Sequence, residues 1–224
     1  MGLPLPLPRS PEEWMEFVRS RTVVEPVPLV PEIQLHQATE VTTLWHATAS
    51  DLVGWDDSPF WAFPWAGGQA LARHILDHPD EVAGRRVLDF GTGSGLVAIA
   101  AALAGASHVA AWDVDPYCEA AVRLNTARNG VAVEFVPGSP FGTSPDVDLV
   151  LAGDVFYERA MSERFQAWGR GLAARGVRVL AGDPGRLYSP RDGVVDRGVH
   201  EVPTTTAIED RVLMRTWVLE LLRE

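Results

Sequence analysis

The stretch VLDFGTGSGLVAIA, residues 87–100, sets Asp89, Gly91, Gly93 and Gly95 at two-residue intervals. An apolar run enters it and small apolar residues leave it, the pattern of a strand, a tight turn and a helix. Glycines in such a turn admit left-handed backbone and let a ligand approach the N–H groups at the helix start. Two ligand chemistries compete for this arrangement. Gly93-x-Gly95-x-x-Ala98 meets a relaxed dinucleotide fingerprint, and Asp113 stands near the position where ribose hydroxyls are held. Asp89 weighs against that reading, because a carboxylate at the end of the strand repels a pyrophosphate and suits a cation. S-adenosylmethionine carries an ammonium, a sulfonium and a ribose, and no phosphate. On this reading Gly91, Gly93 and Gly95 let the backbone pass close to the cofactor. Asp89 faces the ammonium, directly or through water, and Asp113, with Val114 beside it, accepts from the ribose hydroxyls. The dinucleotide and a ligand-free glycine turn stay open as competing readings.

A second group of residues follows later strands. Asp154 and Tyr157 lie in LAGDVFYE, and Asp183 and Arg186 in AGDPGR. Ligands of open α/β sheets bind beyond the carboxyl ends of the strands, so these four residues belong on the same rim. Asp154 is the candidate to orient an acceptor amine, and Tyr157 to shape its slot. Helix capping and core packing are their structural alternatives. Trp61 and Trp65 could cover the cofactor or anchor the preceding segment in the core. Gln69 is a weaker candidate for the cofactor's carboxylate. His74 and His78 have helical metal spacing but lack the glutamate after the first histidine and a third ligand, so no metal is expected. Cys118, the only cysteine, reads as packing and rules out an internal disulfide.

The elements that must position these residues are legible as a rhythm. Ser10, Pro11 and two early glutamates give the start of a short helix. TVVEPVPLVP reads as extended, and EIQLHQAT and VTTLWHAT as strands or a hairpin-like pair. QALARHILDHP is helical, with Gln69 at its start and Pro79 at its stop. From RRVLDF onward, apolar β runs alternate with helices, which requires crossover connections and a mostly parallel sheet covered on both faces. After Asp183 two strands follow without a helix of normal length between them, so the last strand is expected to be antiparallel. The fold class is therefore α/β: a doubly wound, mostly parallel seven-stranded sheet with an antiparallel last strand. Residues 1–58 form an N-terminal helix and strand extension, and residues 59–224 the catalytic domain.

Composition narrows the function classes. Of 224 residues, 46% are hydrophobic and 22% charged, as in globular chains. The net charge is −11 and all 19 basic residues are arginine. The absence of lysine rules out a Walker-type phosphate loop, a Schiff-base lysine and a pyridoxal enzyme. The acidic balance disfavours nucleic acid as a partner. No membrane partner and no secretion signal are expected, and a cytoplasmic location fits.

PEIQLHQAT, DDSPFWAFPWAGGQALARHILDHPDEVAG, VLDFGTGSG, DVDP, AGDVFYE and AGDPGR occur in this order. Together they resemble the electron transfer flavoprotein β-subunit lysine methyltransferases, seven-β-strand S-adenosylmethionine-dependent protein methyltransferases. The resemblance spans roughly residues 31–217, with Ala66 where relatives commonly carry proline. It implies that Asp89, the glycines and Asp113 hold the cofactor, and that the Asp154-x-x-Tyr157 element borders the substrate lysine. It implies a protein partner with an exposed lysine. The alternatives are a small-molecule N-methyltransferase of nicotinamide-like type, a ribosomal-protein methyltransferase, and a cofactor-binding interaction module without transfer.

Overall fold

The computed structural model describes residues 10–38, 59–204, 209 and 211–223. The chain opens with helix α1 (Pro11–Arg21), whose N-cap Ser10 accepts a hydrogen bond from the Glu13 N–H, with Pro11 at the first helical position. Strands β1 (Val23–Val27) and β2 (Val30–Gln37) follow and pair antiparallel. EIQLHQ pairs with the upstream VVEPV segment, because Pro26 falls at the irregular end of the pairing, where the register shifts. VTTLWHAT lies outside the described residues.

Helix α2 (Ala66–Asp77) starts three residues before Gln69, so Gly67 and Gly68 lie inside it. The alternating unit follows: β3 (Arg86–Phe90), α3 (Leu96–Leu103), β4 (His108–Asp113), α4 (Pro116–Asn129), β5 (Glu134–Pro137), β6 (Leu149–Gly153), α5 (Arg159–Ala173) and β7 (Arg178–Asp183). Strands β8 (Val194–Pro203) and β9 (Leu213–Leu221) complete the sheet. Its seven strands run in the order β5-β4-β3-β6-β7-β9-β8. All pairs from β5 to β7 are parallel, and β9 lies antiparallel to both neighbours. The order reverses beside β3, which opens a crevice beyond the ends of β3 and β6.

Strand residues alternate between two cores. Val87, Leu149 and Leu151 pack with Leu71, Ile75, Val97 and Ile99 of α2 and α3. Leu88, Val150 and Val179 pack with Phe165 and Leu172 of α5. The N-terminal segment is fastened to this body by side-chain amides. Asn125 of α4 accepts from the His36 N–H of β2 and donates to the Ser94 carbonyl of the glycine turn. Trp61 is fully buried and stacks on Tyr117, which in turn meets Trp14 and Phe17 of α1. Among the described residues no helix is long and apolar enough to cross a membrane.

Glycine sits inside α2 because the helix touches the sheet backbone. A Cβ on Gly67 would lie 2.3 Å from the Gly182 carbonyl oxygen and 2.6 Å from the Asp154 nitrogen. Neither atom can move without shifting a strand end. Gly67→Ala should lower stability by about 2 kcal/mol or more through this overpacking. Gly171→Ala, at an exposed site in α5 with no heavy atom within 4 Å of the new methyl, should be neutral or stabilising by up to about 1 kcal/mol. Thermal denaturation of the two variants checks the contrast, and equal melting temperatures would refute the contact.

Candidate active site

A cavity of about 410 Å³ opens in the crevice beyond β3 and β6. It is within the range that holds small ligands. On its donor-side wall the turn after β3 runs through Gly91, Gly93 and Gly95 with φ of 62°, 53° and 83°. That left-handed backbone is where a side chain would be strained. The turn is tied to the next strand, because the Gly91 and Thr92 N–H groups both donate to the Trp112 carbonyl.

Asp89 lies at the end of β3, with only 1% of its surface exposed. Its Oδ2 accepts from the Thr92 hydroxyl at 2.6 Å and from the Ala98 N–H at 3.0 Å. The N-cap of α3 is Gly95, which has no side chain to satisfy the first turn, so Asp89 supplies the cap from the strand. Both bonds fall on Oδ2, and the residue lines the cavity, which leaves Oδ1 for a ligand. Burial raises its pKa to about 7, against the lowering effect of the Thr92 and Ala98 hydrogen bonds. The sequence reading of Asp89 as purely a ligand carboxylate is thus incomplete.

Asp113, at the end of β4, is held by three backbone donors: Gly93 N–H to Oδ2, and Val114 and Asp115 N–H to Oδ1. Val114 is 64% exposed beside it on the cavity lip. Asp115 caps α4 through the Tyr117 N–H. Trp65 lines the cavity with its indole N–H donating to the Phe60 carbonyl. Trp61 is elsewhere, in the core, so of the two tryptophans only Trp65 borders the site.

The opposite wall carries a cluster of which the sequence placed Asp154 and Arg186 on one rim and gave no sign of Glu209. Asp154 follows β6 in the left-handed region, with φ 64°. Its own N–H donates to the Gly182 carbonyl, and its Oδ2 accepts from the Gly67 N–H at the start of α2. Arg186 grips it from Nε to Oδ1 at 2.6 Å and from Nη2 to Oδ2 at 2.9 Å. The same guanidinium donates from Nη1 and Nη2 to the two oxygens of Glu209, at 2.9 and 2.8 Å. Burial alone would lower the Arg186 pKa, but the hydrogen bonds to both carboxylates outweigh it and raise it. Glu209 had no signal in the sequence, since no motif surrounds it. Tyr157 is half-exposed at the mouth, its ring 5.5 Å from that of Phe60.

Other expectations are corrected. Gln69 does not reach the cavity: its Oε1 accepts from the Leu29 N–H and its Nε2 donates to the Pro64 carbonyl, so it ties the N-terminal hairpin to α2. Asp183 folds the turn after β7, accepting from the Gly185 and Arg186 N–H groups and from the Ser189 hydroxyl. Burial raises its pKa. His74 faces Glu81, with Nε2 3.5 Å from Oε1, and the His78 ring. Among the described residues no group of three or more histidine, cysteine or acidic side chains is arranged to hold a metal.

Taken together, five carboxylates and one guanidinium line the cavity among the described residues, and that guanidinium is already shared between two of the carboxylates. Such a wall repels a pyrophosphate and favours a ligand with positive charge. Asp89 and Asp113 fit the ammonium and ribose of S-adenosylmethionine, and the largely buried Asp154 cluster lines the same cavity.

Comparison with known proteins identifies the relatives of this chain. The family model of ribosomal protein L11 methyltransferase (PrmA) matches residues 70–153, ending just before Asp154. The electron transfer flavoprotein beta subunit lysine methyltransferase of Danio rerio is 38% identical over 197 residues, covering 86% of this chain and 75% of the relative. The Rattus norvegicus protein of the same name is 43% identical over 161 residues, covering 70% of this chain and 62% of its own length. This chain thus spans about three fifths of the rat protein. The structure of magnesium protoporphyrin IX methyltransferase from Synechocystis with bound SAM superimposes with a TM-score of 0.52 at 20% identity, covering 70% of this chain and 79% of the other. That likeness concerns the fold.

The elevated pKa of Asp89 has a thermodynamic consequence. The folded state binds a proton that the unfolded chain, with an ordinary carboxylate, releases, so stability falls as pH rises through the window from about 4 to 7. Asp89→Asn removes this dependence. Measured against the wild type, the variant should gain on the order of 2 kcal/mol in relative stability between pH 5 and pH 8. Parallel curves of melting temperature against pH would show that Asp89 ionises normally.

Proposed function

We infer the activity from kinship and geometry together: the chain belongs to the electron transfer flavoprotein β-subunit lysine methyltransferase family. We propose that it methylates a lysine side chain of the electron transfer flavoprotein β subunit, with S-adenosylmethionine as donor. The observation that carries the reading is the pairing of two walls across one cavity. One wall is a phosphate-averse cradle built by Asp89, Asp113 and the glycine turn. The other is a carboxylate cluster centred on Asp154, where a cationic side chain can be received.

When bound, the donor supplies an electrophilic methyl on a sulfonium. Transfer forms the nitrogen–carbon bond as the sulfur–carbon bond breaks, and its electron pair stays on sulfur. The chain's residues serve this step by placement. Asp113, locked by three backbone N–H groups, presents its carboxylate to the ribose hydroxyls. The Oδ1 of Asp89 offers an acceptor toward the ammonium end. Trp65 and Val114 flank the cradle. Tyr157 and Phe60 narrow the mouth, which selects a long, thin side chain and aligns it with the methyl.

The acceptor nitrogen must arrive neutral, and a free lysine with pKa near 10.4 is neutral on the order of a thousandth of the time or less near pH 7. Asp154 is already gripped by Arg186 and the Gly67 N–H, so its part is to accept a hydrogen bond from the amine and orient the lone pair. The released proton leaves through water at the mouth. The ribosomal-protein alternative draws on the family-model match, but that match ends before the acceptor wall begins.

Incubation with radiolabelled S-adenosylmethionine and purified electron transfer flavoprotein tests the proposal. Label on a β-subunit lysine supports it, and label only on a ribosomal protein or a small amine redirects it. Asp154→Asn should keep donor affinity by calorimetry and lose at least about tenfold in single-turnover rate. Asp113→Ala should weaken donor binding by at least about tenfold, or about 1.4 kcal/mol.

A further inference from the structure

The Asp154 cluster contains a resident cation in the place where the acceptor's own cation must come. Arg186 makes four hydrogen bonds to two carboxylates, all three side chains line the cavity, and both carboxylates are more than nine-tenths buried. The cluster carries two formal negative charges against one positive.

We propose that Arg186 is a positioning residue that sets the charge of the acceptor site: it offsets Asp154 and Glu209 so that the incoming lysine is received as an amine rather than held as an ammonium. This rests on the lysine-methylation reading above. Without the guanidinium, two adjacent carboxylates would stabilise the ammonium and keep its lone pair blocked. With it, one net negative charge remains to draw the lysine in, and a neighbouring cation works against the protonated form. The proton so displaced goes to water, and no bond to Arg186 is made or broken.

The surroundings agree with a fixed setting. Asp183 holds the backbone of Arg186 from below, accepting from its N–H. The start of α2 holds Asp154 through the Gly67 N–H. Among the described residues, the other ionisable groups lining the cavity are Asp89, Asp113 and Asp115 on the donor wall, the buried Cys118 thiol of α4 and the Tyr157 phenol at the mouth. Arg186 is the only cationic side chain among the described residues that line the cavity. Hence altering Arg186 or Glu209 changes the charge met by the acceptor in opposite senses.

The test is the pH dependence of single-turnover methylation at saturating S-adenosylmethionine, with electron transfer flavoprotein as acceptor. Arg186→Met should move the acid limb to higher pH by about one unit or more, with activity recovering in alkali. Glu209→Gln should move it to lower pH, and Arg186→Lys should keep it near the wild-type position. A merely structural role predicts lower rates with unshifted limbs in all three variants, and that result would overturn the proposal. If Arg186→Met does not fold, the direction of the Glu209→Gln shift decides. A wild type that methylates no lysine at any pH overturns the functional reading and this inference together. An active wild type with unshifted variants overturns this inference alone.

Discussion

The structure depends on carboxylates at the carboxyl ends of parallel strands, each satisfying backbone N–H groups of a neighbouring element. Asp89 closes the start of α3, Asp113 holds the glycine turn and the chain leaving β4, Asp154 meets the start of α2, and Asp183 folds the turn that carries Arg186. Parallel strands deliver all four residues to one edge of the sheet. Helix starts and tight turns arrive there with donors that have no partner of their own. One interaction type thus both organises the edge and loads it with negative charge. The site is acidic because its architecture is held together by acids.

The donor and acceptor walls are joined by contact between backbones. Gly67 and Gly68 of α2 press on Gly153 and Gly182, at the ends of β6 and β7, closely enough that a side chain at Gly67, Gly153 or Gly182 would collide. The helix bearing Gln69, which anchors the N-terminal hairpin, is therefore also the helix that fixes Asp154. The hairpin of β1 and β2 is coupled to the acceptor wall through α2 and to the donor wall through Asn125.

Much of this was legible in the sequence, and the gaps have physical causes. The alternation of apolar runs and helices foretold the doubly wound sheet, its side-switching and the antiparallel β9, because burial on both faces leaves an unmistakable apolar signal. The cap at Ser10 was readable because its partner lies three residues away. The pairing of β2 with the upstream β1 went unread, since the prolines of TVVEPVPLVP mask a strand pattern in local sequence. The early start of α2 was missed because two glycines read as a break, whereas tertiary contact favours them there. Asp154 and Arg186 were legible as rim neighbours because each follows a strand end, whereas Glu209, 23 positions from Arg186, has no local spacing that announces it. The dual duty of Asp89, cap and cavity wall, was hidden for the same reason.

The left-handed backbone at Asp154 bears on how sites of this kind diverge. Aspartate and asparagine are the two common side chains, glycine aside, that tolerate that conformation. A lineage can therefore exchange the two at this point without rebuilding the strand end, turning a charged acceptor wall into a neutral one in a single substitution. Larger or branched replacements would strain the main chain first and the chemistry second. The backbone thus narrows the evolutionary paths open to the acceptor wall to a few small polar choices, and leaves the diversification of targets to the surrounding loops.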